Sequence, residues 1–220
     1  MAINLNKICV FDFETDGIDT KVCAPVQLAA VMIDPRKLEI IDGSEFSIHI
    51  RPCEIDNIDY YTSHRDTIEF HAKVAGCSHD EIMNKWKNSI PLEKAWTSFA
   101  DYCSNYHTNP ARKTKYTAPI PAGHNIDDFD MKIVERLNEQ FKIKTLFHCR
   151  DKIDTLTQSF IWFENQLEPA KYNFDAIREF LGKSKAGAHT ALQDVKDCAD
   201  FVIRLLNLHR KVATKVKWKS

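Results

Sequence analysis

Asp12, Glu14, Asp130, His189 and Asp194 are the side chains whose type and spacing point to chemistry. In KICVFDFETDG, Ile8, Val10, Asp12 and Glu14 share one face of a strand, because strand side chains alternate with period two. Cys9, Phe11 and Phe13 make the other face apolar too, which predicts a central strand covered on both sides. Carboxylates ending such a strand need a metal, hydrogen bonds or water to offset their burial. A solvated strand end entering a turn is the simpler account of a bare D-x-E, so this pair decides nothing alone.

In GHNIDDFDMKIVERLNEQF, Ile126, Asp130, Ile133, Val134, Leu137 and Phe141 follow the three-and-four spacing of a buried helical stripe, which turns Asp130 inward. Asp127 and Asp128 fall in the first turn after Asn125, the expected N-cap, where the helix dipole favours negative charge. A structural salt bridge would satisfy an inward Asp130 as well as a metal would. In HTALQD, His189 and Asp194 would stand about 140° apart on one continuous helix. Thr190 and Gln193, however, form a T-x-x-Q capping box that starts the helix at Thr190. His189 and Asp194 then become the two positions that a hydrophobic staple brings into contact. A surface histidine beside an acid also meets this pattern, which is common by chance.

Together the three segments offer four carboxylates and one imidazole. Hard carboxylate oxygens suit Mg²⁺ or Mn²⁺, whereas zinc would favour Cys or several His. Two such ions roughly 4 Å apart stabilise the attacking and leaving oxygens of an in-line displacement at phosphorus. His189, with a reference pKa of about 6.5, suits proton acceptance from an attacking water near neutral pH. The chemistry indicated is phosphodiester hydrolysis. His64, His71, Cys77 and His79 match no tight zinc spacing and are read as isolated structural residues.

The elements that must position these groups read as strands first and helices after. KICVFDF, PVQLAAVMID and LEIIDGSEFSIHIRP are rich in Val, Ile and Phe with turn signals between them. Helical patterning follows from Thr62 to Tyr106, with Ser78 and Ser89 as expected caps. APIPAG then precedes the helix expected from about Ile126, and DTLTQSFIWFENQ, FDAIREFLG and ALQDVKDCADFVIRLLNLHRKV complete an α/β pattern.

At 220 residues, 44% hydrophobic and 28% charged, the chain fits one soluble domain. The expected division is a single domain over 1–212 with a helical insertion near 62–106, then a basic tail over 213–220. Seven cysteines with no C-x-x-C pair suggest reduced thiols and an intracellular location. No apolar run approaches membrane-spanning length, and the start reads as a strand, not a signal peptide. Net charge is only −1, but Phe201 to Ser220 is acid-free and basic, and HTNPARKTKYT carries Arg112, Lys113 and Lys115. Such stretches either contact phosphates or form solvated surface.

In this order and spacing, FDFETDG, GHNIDDFD and HTALQD resemble the three motifs of the DEDDh exonucleases. That superfamily includes polymerase proofreading subunits, oligoribonuclease, RNase T, bacterial exonuclease I and related phage exonucleases. The resemblance spans Ile8 to about Leu206, and His189 marks the histidine subtype. It implies an RNase H-like mixed five-stranded sheet flanked by helices, and 3′–5′ hydrolysis to nucleoside 5′-monophosphates. It further implies that Asp12, Glu14 and Asp194 hold one Mg²⁺ or Mn²⁺ ion and Asp12 with Asp130 the second.

Thr15 and Asp16 are then expected near the 3′-terminal nucleotide, and Asn125 near the metals or substrate. Several members place the second-motif acid one residue nearer the Asn, which would select Phe129. The longer, exonuclease I-like spacing gives Asp130, with Asp128 as the fallback. The partner implied is nucleic acid with a free 3′ end. Single-stranded DNA is favoured over RNA because the insertion, including NKWKNS, resembles that of phage single-stranded DNA exonucleases. Phe13, Trp86, Trp162 and Tyr172 are candidate base-stacking residues. An exoribonuclease is the alternative, and a nucleic-acid-binding module without activity is the other.

Overall fold

The computed structural model describes residues 6–183 and 190–216. His189, Lys217 and Lys219 lie outside the described residues. The elements run β1 (Ile8–Thr15), β2 (Pro25–Asp34), β3 (Glu39–Ile40), β4 (Phe46–Arg51), α1 (Tyr60–Ser63), α2 (Arg65–Ala75), α3 (His79–Lys87), β5 (Ile90–Pro91), α4 (Leu92–Ser104), β6 (Ile120–Gly123), α5 (Asp130–Phe141), β7 (Ile153–Asp154), α6 (Thr155–Phe163), α7 (Phe174–Phe180) and α8 (Ala191–Ala213).

β1 is central, as its two apolar faces demand. It pairs antiparallel with β2 and parallel with β6, giving the sheet order β5, β4, β2, β1, β6, β7, with β3 off β2. The expected mixed five-stranded sheet is β4, β2, β1, β6 and β7; the two-residue β3 and β5 are additions to it. Cys9, Phe11 and Phe13 bury against Trp96 and Phe99 of α4 and Ile133 and Leu137 of α5. Ile8 and Val10 bury on the opposite face with Val195, Cys198 and Val202 of α8. Each fully buried Val, Ile or Phe contributes roughly 1.5–3 kcal/mol, so the two covers fix which way β1 turns its acids. Asp12 and Glu14 face α8.

Within residues 60–104, α1 to α3 gather round a separate cluster that includes Val26, Ile55, Ile68 and Trp86, whereas α4 joins the sheet core. Ser78 caps α3 with a full capping box to Glu81. Ser89 does not cap α4; its hydroxyl donates back to Lys85 O at 2.8 Å, and α4 starts after Pro91 because β5 first pairs with β4. Phe13 and Trp86 are core, 5% and 3% exposed, so neither offers a ring to a base. Trp162 is engaged instead with His209, its indole N–H donating to Nε2 at 3.0 Å. All seven cysteines are free. Among the described residues no helix is long and apolar enough to cross a membrane.

Candidate active site

The pairing of β1 with β6 stops at Val10 and Ala122, and β1 runs on past the end of β6 with only β2 beside it, Asp12 opposite Ala29 and Glu14 opposite Gln27. Asp12 and Glu14 lie on that projecting part. Asp194 stands in the first turn of α8, the helix that covers the same face of β1. Asp130 opens α5 from the other side and is 3% exposed, with its Oδ1 accepting the Phe13 amide at 3.1 Å. Three chain segments thus deliver four carboxylates to one end of β1.

Their ionisation reflects that crowding. Burial pushes the Asp12 carboxyl well above the usual range, and the charges of Asp130, Glu14 and Asp194 push it further. Burial, then the Asp194 charge, raises Glu14 to about 7. Burial raises Asp130 to about 7 against the opposing pull of the Phe13 amide. An all-oxygen set that resists its own negative charge has the donor chemistry a hard divalent cation requires. Among the described residues, no group of three or more His, Cys, Asp or Glu is arranged to hold a metal ion. Two of the carboxylates have other partners: Asp130 takes the Phe13 amide, and Asp194 Oδ1 takes Nη1 of Arg178 at 2.8 Å.

Arg178 has no counterpart in the sequence expectations. It projects from α7, is 4% exposed, and divides its guanidinium between Asp194 and Asp197, Nη2 meeting Asp197 Oδ2 at 2.8 Å. The available signal was the pair Asp194 and Asp197, three apart on one helix face, since two inward acids require a cation. Arg178, Asp194, Asp12, Gly123, His124 and Phe174 line a cleft of about 300 Å³. Burial holds the His124 imidazole below its ordinary pKa, and its Nδ1 lies 2.9 Å from the Thr155 hydroxyl.

Residues 124–129 are a turn and not the start of a helix. Asn125 has φ +60°, the N-cap of α5 is Phe129, and Asp154 accepts the backbone N–H groups of Asn125 and Asp127 at 3.1 and 3.2 Å. Asp154 also caps α6 through Leu156 N, so one buried carboxylate joins this turn to the next helix. Asp127 pairs with Lys152, and the fallback Asp128 is exposed and pairs with Lys132. Thr190 is the N-cap of α8 as expected, but without the side-chain cap bond, and Gln193 donates to Asp197 Oδ1 instead of closing a capping box. Thr15 and Asp16 are turned into the β1–β2 loop. The Thr15 hydroxyl donates to Gly17 O at 2.6 Å, and the Asp16 carboxylate accepts Ala24 N at 2.6 Å and the Tyr60 hydroxyl at 2.7 Å.

Gly123 lets β6 pass close beneath this turn. A Cβ there would lie 2.2 Å from Cγ2 of Ile126 and 3.0 Å from the Phe11 carbonyl oxygen. Gly123→Ala is therefore expected to destabilise the protein by about 1–3 kcal/mol, measured as a lower midpoint in urea unfolding.

No family model and no curated protein matches the sequence. Solved structures do share the fold. Escherichia coli Exonuclease I in complex with a dT13 oligonucleotide aligns with a TM-score of 0.64 at 14% identity, over 96% of this chain and 43% of that one. Cell-death related nuclease 4 (CRN-4) aligns at 0.64 and 14% identity, over 93% of this chain and 64% of that one. A 3′-exonuclease described in 3′-end specific recognition of histone mRNA stem-loop aligns at 0.61 and 17% identity, over 92% and 82%. The chain thus has the fold of RNase H-like exonucleases, and spans less than two thirds of the first two of them.

Proposed function

We propose that this chain is a DEDDh-type 3′–5′ exonuclease that hydrolyses phosphodiester bonds with two Mg²⁺ or Mn²⁺ ions and releases nucleoside 5′-monophosphates from single-stranded DNA. The observation that carries the reading is the convergence of Asp12, Glu14, Asp130 and Asp194 from three segments at the end of β1. Asp12, Glu14 and Asp194 would hold one ion and Asp12 with Asp130 the other; bound there, the ions supply positive charge to the transition state at phosphorus. His189 would accept the proton of the attacking water as the water oxygen bonds to phosphorus; the bond to the 3′ oxygen breaks, and that oxygen leaves with the electron pair and takes a proton from solvent to become the new 3′-hydroxyl. Arg178 steadies the Asp194 carboxylate, and Asp154 fixes the turn that leads into Asp130. Thr15, Asp16 and Asn125 shape the loops around the terminal nucleotide, Asp16 through its bond to Tyr60.

The dT13 complex among the fold relatives supports DNA. An exoribonuclease is the second reading, favoured by the histone mRNA 3′-exonuclease, whose length this chain matches best of the three compared above. Digestion of matched single-stranded DNA, single-stranded RNA and duplex, labelled at either end, with Mg²⁺, Mn²⁺ or EDTA, separates them. The expected result is metal-dependent mononucleotide release from the 3′ end, fastest on single-stranded DNA. Faster release from RNA would establish the second reading, and strand binding without release in either metal would leave only a binding module.

A further inference from the structure

The run from Tyr102 to Pro119 contains no acid, carries Arg112, Lys113 and Lys115, and has no part in the chemistry above. In the fold it is joined by Arg150. Cys149 N donates to Lys115 O at 3.0 Å and His148 N to Pro119 O at 2.8 Å, stitching the two loops side by side. Between them stands Tyr116, 51% exposed, with Lys115 Nζ 5.6 Å and the Arg150 guanidinium 5.5 Å from its ring centroid. The loop backbone is held in place: Asn6 Nδ2 donates to Tyr116 O at 2.9 Å, and Thr114 N to the Thr117 hydroxyl at 2.9 Å. Asp151, the acid next to Arg150, is drawn to His148 at 3.5 Å. In the C-terminal basic stretch, by contrast, Arg204 pairs with Asp200 and Arg210 donates to Pro35 O.

We propose that this surface is a second contact site for single-stranded nucleic acid, with Lys115 and Arg150 on phosphates and Tyr116 stacked on a base. An exposed, backbone-anchored aromatic with two long cationic side chains over its ring meets, once those side chains swing out to phosphates, the two requirements of sequence-tolerant strand binding, a platform for bases and charge for the backbone. The surface is separate from the acid cluster. It lies where β6 begins, beside Ile8 in the parallel pair, whereas Asp12 lies roughly 13 Å farther along β1 at ~3.3 Å per residue. A strand of about three nucleotides occupies the acid site alone; a long one reaches both. The inference rests on the proposed function only in sharing its substrate class.

The test is binding of a labelled strand of about 30 nucleotides, oligo-dT or oligo-U, by the full chain in EDTA across a salt series, with cleavage of a trinucleotide as control. Lys115→Gln combined with Arg150→Gln should reduce the slope of log K against log salt by about 1.4, at about 0.7 per phosphate contact on single strands. Tyr116→Ala should weaken binding roughly tenfold, within the range for lost base stacking. Trinucleotide cleavage should stay at the wild-type rate. Unchanged slope and affinity in both variants overturn the proposal, as does a parallel loss of trinucleotide cleavage. If the wild type shows the patch-dependent salt slope yet cleaves nothing, the surface stands and the proposed hydrolysis falls.

Discussion

Asp12→Asn should reduce strand hydrolysis by at least about three orders of magnitude, or ~4 kcal/mol of transition-state stabilisation, while making the metal-free protein more stable near pH 8. The two effects share a cause. Burial and three neighbouring acids raise the Asp12 carboxyl, and Glu14 and Asp130 are raised to about 7. A carboxyl raised in the folded state binds its proton more tightly there than in the unfolded chain, where Asp and Glu titrate near about 4. The folded state then holds more protons, so stability falls as pH rises from about 4 through about 7. In EDTA, Tm should therefore drop between about pH 5 and pH 8, and Mg²⁺ or Mn²⁺ at the higher pH should restore it. Asp12→Asn removes one charge from the cluster, which flattens that drop and also deletes the ligand proposed for both ions. Wild-type hydrolysis by this variant would remove the acid cluster as the active site. A metal-free Tm that does not depend on pH would contradict the electrostatic account.

What the sequence disclosed of this site follows how local each determinant is. Alternation along β1 placed Asp12 and Glu14 on one face, and the helical stripe turned Asp130 inward, because both patterns are set by residues a few positions away. The same stripe did not reveal that residues 124–129 form a turn, since the amides there are satisfied by Asp154, 27 and 29 residues distant. Arg178 was hidden for a like reason. Its partners lie 16 and 19 residues on, in another helix, and only the docking of α7 on α8 brings them together. The T-x-x-Q box located the start of α8 correctly although its reciprocal bonds do not form, because Gln193 finds Asp197 one turn on. The mixed sheet flanked by helices was expected from motif resemblance and is matched, while the separate cluster beneath α1 to α3 depends on contacts among Ile55, Ile68 and Trp86 that no single period reports.

Arg178→Met is expected to destabilise the protein by about 3 kcal/mol, the lower end for removing one partner of a buried ion pair. The lower end applies because Asp197 keeps Gln193 at 3.0 Å and Lys183 at 3.6 Å. Arg178→Lys should fall short of rescue, since a single ammonium cannot reproduce the fork that meets Asp194 and Asp197 with separate nitrogens at 2.8 Å each. The informative variant is the double replacement Arg178→Met with Asp197→Leu. If the arginine serves only to neutralise Asp197, removing both charges should recover stability in urea unfolding and hydrolysis together. If it also sets the Asp194 carboxylate at the mouth of the cluster, stability should return while hydrolysis stays low. The second outcome is expected, because Nη1 bonds Asp194 independently of the nitrogen that holds Asp197, and Asp194 also contributes to the charge that raises both Asp12 and Glu14. Full recovery of hydrolysis in the double variant would confine Arg178 to holding α7 against α8.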